Sequence, residues 1–100
     1  MFRVLTLLAA AAISACVSIE KAAPPVETFT RQLSGAKRAQ LQQGRTIYIT
    51  KCAKCHSPEP VHRYSPTRWE GILAEMIEET KLGEPDAKAV SAYVFAALDG

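Results

Sequence analysis

The chain is poor in the residues that most often build reactive sites. Its 100 residues include two histidines, three cysteines, one tryptophan and a single methionine after the start codon. No acid–base pair and no nucleophile with a neighbouring base is evident, which argues against an enzyme and its acid–base or nucleophilic catalysis. Basic residues are not interleaved with aromatic ones, so no nucleic-acid-binding module is indicated.

The chain also lacks an apolar run long enough to form a stable membrane-spanning helix. Its longest such run, residues 4–13, is rich in Leu and Ala and follows Arg3. A short basic start before an apolar stretch is typical of an export signal. The run ends in Ile13-Ser14-Ala15-Cys16, which resembles the lipobox of bacterial lipoproteins.

That resemblance implies a signal peptide over 1–15 and a diacylglyceryl-modified Cys16 that anchors the mature chain in a membrane. More than one acyl chain gives lasting anchorage. Val17 stands where an inner-membrane retention signal would have Asp, which points toward the outer membrane. The expected location is therefore the bacterial periplasm. The alternative is an ordinary secretory signal that leaves Cys16 as a spare thiol.

The exported chain divides into a tether and one domain. Residues 16–33 contain Pro24-Pro25 and no clear apolar period, which predicts a linker. The folded domain is expected over 34–100. No internal repeat is visible.

Helical spacing of apolar residues predicts an all-α domain of three main helices. The first runs from the capping residue Ser34 to about Lys51. It carries Gly44 near its middle, and a glycine tolerated there indicates that another helix crosses closely. Only residues 46–50 could also be interpreted as a strand.

The second and third helices have recognisable ends. Ser65 and Pro66 predict a start for the second, which is expected to run to about Lys81 with Gly83 as its stop signal. Glu84-Pro85-Asp86 predicts the start of the third, since proline suits the first turn and acids suit the positive end of the helix dipole.

The sequence Cys52-Ala53-Lys54-Cys55-His56 is the attachment pattern for c-type haem. Each thiol can add across one haem vinyl group to form a thioether, and His56 can place an imidazole nitrogen on the iron. A zinc site would need a fourth ligand, for which only His62 is a further histidine candidate. A thioredoxin-like thiol pair would need a βαβ surround, which is not predicted.

The span from Ser34 to Leu98 resembles small class I cytochromes c. The resemblance rests on Cys52-x-x-Cys55-His56, on Gly44 with Tyr48 in the preceding helix, and on Tyr93 in the last helix. It implies three helices wrapped around one covalent haem, and a one-electron carrier rather than an enzyme. Trp69 and Met76, seven residues apart, resemble the spacing in a bacterial subgroup of short monohaem domains.

The sequence offers three possibilities for the second axial position of the iron. The resemblance favours Met76, although most family members carry this methionine in a loop and Met76 falls on a predicted helix. His62 is the competitor, and an open site is the third possibility. An open or labile site would make the protein a gas-binding sensor or a minor peroxidase. Trp69 is expected to pack against the haem or to cap the core.

Charge is divided along the chain. Residues 31–68 contain eight basic residues and one acid, whereas 69–100 contain seven acids and two lysines. This division suits transient electrostatic docking to redox protein partners, or it reflects two solvated faces. The basic residues that could ring the haem edge or pair with its propionates are Lys51, Lys54, Arg63 and Arg68.

Overall fold

The computed structural model describes residues 19–29, 35–51 and 59–99, and all regular structure within these ranges is helical. Three α-helices follow in order: α1 over Gly35–Thr50, α2 over Pro66–Thr80 and α3 over Glu84–Asp99. Two short 3-10 helices cover Val26–Thr28 and Val61–Arg63. The all-α prediction is confirmed for the described ranges, including the ambiguous residues 46–50.

The ends of α2 show which local signals the chain uses. The Ser65 hydroxyl accepts a hydrogen bond from the Arg68 amide at 3.2 Å, as expected for a capping residue. At the other end Lys81, not Gly83, adopts the left-handed conformation, with φ of 54°. The Leu82 amide then donates to the Ile77 carbonyl at 3.3 Å. The predicted cap at Ser34 lies outside the described residues.

Helices α1 and α3 cross in close contact at Gly44. A Cβ atom placed on Gly44 would lie 2.7 Å from the Ala89 carbonyl carbon and 2.8 Å from the Tyr93 Cβ. Both distances are far inside van der Waals contact, so only glycine fits. The predicted close helix crossing is confirmed.

The core lies mainly between α1 and α3, and α2 is covered less evenly. Trp69 and Leu73 of α2 are buried in the core cluster, whereas Ile72, Met76 and Ile77 are only half-buried against it. The apolar stripe of α2 is therefore fully covered on its Trp69 side and partly open along its Met76 side. Within the ranges described, no helix is both long and apolar enough to cross a membrane.

Residues 22–29 pack against the helices and are called the strap below. Ala23 and Val26 have no exposed surface, and the Phe29 ring centre lies 6.0 Å from that of Tyr93. The sequence predicts a linker over 16–33, whereas Ala23 and Val26 within it belong to the core cluster and Phe29 packs against that cluster. Residues 16–18 and 30–33 lie outside the described ranges.

Candidate functional site

The predicted attachment residues Cys52, Cys55 and His56 lie outside the described residues, as does Cys16. The structure gives the two flanks of the motif. Helix α1 ends at Thr50, and the chain is described again from Glu59. These flanks determine where the segment that carries the motif leaves and re-enters the described structure.

Two aromatic side chains hold the downstream flank in place. The Tyr48 hydroxyl, in the last turns of α1, donates to the Glu59 carbonyl. The Trp69 indole N–H of α2 donates to the Val61 carbonyl at 2.7 Å, and this bond is buried. The chain segment between Tyr48 and Glu59 is therefore closed at its base by a hydrogen bond between its two ends.

The same aromatic residues form one packed cluster. The Trp69 ring centre lies 6.1 Å from that of Tyr48 and 5.6 Å from that of Tyr64, both in edge-to-face geometry. Tyr48 also lies 6.0 Å from Tyr93 at the helix crossing. Such pairs each contribute roughly 0.5–1.5 kcal/mol beyond the burial of their area. Trp69 thus lies within the core, and Tyr48 and Tyr93 pack where α1 and α3 cross.

The two candidates for the second axial ligand lie in different environments. Met76 is half-buried on α2, one turn beyond Ile72, and packs against the core. His62 is exposed in the 3-10 turn over Val61–Arg63. Among the described residues, no group of three or more His, Cys, Asp or Glu is placed to hold a metal ion.

The basic residues near the motif are solvent-exposed. Lys51 and Arg68 are exposed, and Arg63 forms an exposed ion pair with Glu59 at 3.0 Å. The Arg63 guanidinium also lies 5.8 Å from the Tyr64 ring centre. An exposed pair of this kind contributes about 0–1 kcal/mol to stability. Lys54 lies outside the described residues.

A groove of about 590 Å³ runs along one face of α2 beside the half-buried stripe. A Cβ at Gly71 would meet nothing within 4 Å, so the groove is open there. Its lining combines an apolar floor residue with polar and charged rims: Ser65, Thr67, Arg68, Gly71, Ile72 and Glu75.

Tyr93 connects the strap to the helix crossing. Its hydroxyl donates to the Pro24 carbonyl at 2.7 Å. Burial raises the Tyr93 pKa to about 12, against an opposing effect of the nearby Arg45 guanidinium. Arg45 in turn donates from Nε to the Ala23 carbonyl at 3.1 Å. Tyr93 is therefore a neutral hydrogen-bond donor over the whole physiological range.

The strap is the part of the molecule that sequence reasoning missed. Its only local signal is the spacing of Val26 and Phe29, three residues apart just after Pro25. Such a short pattern does not distinguish a packed turn from a linker.

No protein-family model matches the chain, and neither the curated proteins nor the solved structures contain a match to it.

Proposed function

We propose that the protein is an exported monohaem cytochrome c that carries single electrons. The observation that carries this proposal is the position of Cys52-x-x-Cys55-His56. The motif follows directly on α1, and α1 is the helix whose Gly44 is crossed by α3 at Ala89 and Tyr93. The close crossing supports the cytochrome c-like fold, because a glycine in the motif-bearing helix and an aromatic in the last helix are two of the features on which the resemblance rests.

The partial exposure of one side of α2 supports the proposal of a large apolar group beside this helix. Ile72, Met76 and Ile77 are only half-buried, although they continue the stripe on which Trp69 and Leu73 are buried. Covering apolar side chains stabilises a small domain by about 25 cal/mol for each Å² removed from water. A planar haem lying against this stripe would complete a core that 34–100 is too short to fill well alone.

Each residue has a distinct part in this proposal. Cys52 and Cys55 would hold the haem through thioethers, and His56 would ligate the iron on one side. The haem iron supplies the one-electron redox change when it is bound. Tyr48 and Trp69 fix the chain at Glu59 and Val61, and this anchoring would restrict movement of the segment that carries His56. Exposed Lys51 and Arg68 leave a basic surface for docking to a redox partner.

Covalent haem is tested by denaturing electrophoresis with haem staining and by absorption spectra in both oxidation states. A stained band that is lost in Cys52→Ala with Cys55→Ala is expected. If the wild-type protein shows no haem staining and binds zinc, the zinc alternative is established and the cytochrome proposal is refuted.

Met76 is proposed as the second axial ligand, because it lies on the partly open stripe of α2 whereas His62 is exposed in a separate turn. A thioether ligand favours ferrous iron and suits an electron carrier. Ferrous wild-type protein should then resist carbon monoxide, and Met76→Ala should bind it. Ile72→Ala is the matched control, since it removes apolar volume from the same stripe without removing sulfur.

The opposite result would favour the alternative function. If ferrous wild-type protein binds carbon monoxide readily and Met76→Ala leaves its spectrum unchanged, the distal site is open. A gas-binding sensor or minor peroxidase would then replace the carrier. If His62→Ala alone opens the site, His62 is the ligand and the carrier function stands.

Export and lipid anchorage complete the proposal. The lipobox-like Ile13-Ser14-Ala15-Cys16 supports cleavage before Cys16 and acylation of its thiol. Partition of the mature protein into a detergent phase, lost in Cys16→Ser, is the expected result. A mature wild-type protein that remains in the aqueous phase would contradict acylation.

A further inference from the structure

We infer that the strap, residues 22–29, holds the domain close against the anchoring membrane, so that its redox partner is a membrane-bound protein with its redox centre at the surface of that same membrane. This inference rests on the proposed haem and the proposed lipidation of Cys16. The strap contacts that support it are independent of both proposals.

The strap is fixed to the helix crossing from both sides. Its backbone carbonyls accept from Arg45 of α1 and from Tyr93 of α3, at 3.1 and 2.7 Å. Ala23 and Val26 of the strap are also fully buried. Hydrogen bonds contribute roughly 0.5–1.5 kcal/mol each, and burial of a valine contributes about 1.5–3 kcal/mol. The strap therefore stays bound to the helices, because its release would break several stabilising interactions at once.

Because the strap is bound to the helices, only a short stretch of chain separates it from Cys16. Three residue steps separate Cys16 from Ile19, which span about 11 Å when fully extended. Residues 19–22 form a helical turn, with the Ala23 amide bonded to the Ile19 carbonyl at 2.9 Å, and this turn adds only about 5 Å. The start of the strap is thus held within about 16 Å of Cys16, whereas the end of a free chain over 16–33 would reach about 60 Å.

The end of α1, which leads into the attachment motif in the sequence, is near this fixed point. Arg45 lies five residues before the end of α1 at Thr50, which is about 8 Å along the helix axis. Cys52 follows two residues later. A haem on this motif would lie within a few tens of ångströms of the bilayer surface. A centre held there can meet membrane-bound partners repeatedly, but it cannot cross the periplasm to another membrane.

The experiment uses the full acylated protein in vesicles of phosphatidylethanolamine and phosphatidylglycerol that carry a fluorophore on a small fraction of headgroups. Haem quenches the fluorophore by energy transfer, which falls steeply with distance. The first variant inserts twelve Gly and Ser residues between Ser18 and Ile19, which adds a root-mean-square length of about 20 Å without touching the strap. The second is Val26→Asp, which releases the strap by placing a charge in its buried site. Glu27→Ser is the control, since Glu27 is exposed beside Val26.

Strong quenching is expected for wild type and Glu27→Ser, and loss of most of it for the insertion and for Val26→Asp. Hydrogen exchange of residues 22–29 should be slow in wild type and fast in Val26→Asp, while α3 stays protected in both. Equal quenching in all four proteins would overturn the inference, as would fast exchange of 22–29 in wild type.

Two further readouts separate this inference from the proposals beneath it. A vesicle pellet without haem staining would refute the cytochrome and with it the redox partner. Stained protein that fails to partition with the vesicles would refute the membrane-held position and leave the cytochrome standing. Haem-stained, vesicle-bound protein with equal quenching would refute the strap's role alone.

Discussion

The substitution Gly44→Ala tests the helix crossing on which the proposed fold depends. In an open helix this change stabilises by about 1 kcal/mol, because alanine restricts the unfolded chain and favours helix. At Gly44 the new methyl group would overlap the Ala89 carbonyl group and approach the Tyr93 Cβ to 2.8 Å. Both neighbours are fixed by the backbone of α3, so relief requires the helices to separate.

Overpacking of this kind costs typically about 1–3 kcal/mol, and the loss of contacts along the crossing adds to it. We expect Gly44→Ala to lower the free energy of unfolding by about 2 kcal/mol or more after its helix-propensity gain is included. Chemical denaturation of the holoprotein, followed by circular dichroism, measures this.

Gly71→Ala is the matched control for Gly44→Ala. Gly71 is also inside a helix, but a Cβ there meets nothing within 4 Å. It should raise stability by about 0.5–1 kcal/mol. If Gly44→Ala is as stable as wild type or more stable, the close crossing is wrong, and with it the structural support for the fold.

Three further predictions concern other parts of the structure. Trp69→Phe leaves the buried Val61 carbonyl without its donor and should cost about 1–3 kcal/mol from that loss alone, measured by denaturation. Lys81→Gly should stabilise by about 1 kcal/mol, because Lys81 has a positive φ that glycine adopts without strain; Lys88→Gly, in the exposed face of α3, should instead destabilise by a similar amount. The raised Tyr93 pKa, about 12 against 10.0, means that the folded state prefers the neutral phenol. This preference stabilises the folded state fully below pH 10, and the stabilisation is lost as pH rises through 12. The free energy of unfolding should fall by a total on the order of 2–3 kcal/mol over this interval. A stability profile of wild type should therefore fall more steeply across that interval than one of Tyr93→Phe, and parallel profiles would contradict the buried position of the hydroxyl.

The helices could be predicted from sequence because their signals are local. Ser65 and Pro66 mark the start of α2, and apolar spacing defines the buried faces of all three helices. Even the crossing had a local sign, since a glycine in mid-helix is unfavourable unless something approaches it.

The strap could not be predicted because its stabilising contacts are not local. The Ala23 and Pro24 carbonyls bond to side chains 22 and 69 residues away. Neither bond leaves a periodic pattern near residue 23. The end of α2 was predicted at the correct place but with the wrong residue in the left-handed conformation. Gly83 has no positive φ, and its carbonyl instead accepts from the Ala87 amide at 2.9 Å at the start of α3. The short connection between α2 and α3 uses its glycine for the next helix and places a lysine in the left-handed position.

Tyr48 links the helix crossing to Glu59, the first described residue after the motif. It lies one turn after Gly44, its ring packs on Tyr93 at the crossing, and its hydroxyl donates to the Glu59 carbonyl beyond the motif. A displacement of α3 by Gly44→Ala therefore acts on the residue that closes the base of the motif segment. If the motif carries haem as proposed, the substitution should change the haem spectrum or the reduction potential as well as stability. A destabilising substitution away from this connection, such as Ala39→Gly at an exposed position of α1, should lower stability and leave both unchanged. The contrast between the two variants distinguishes a helix crossing that positions the redox site from one that only holds the domain together.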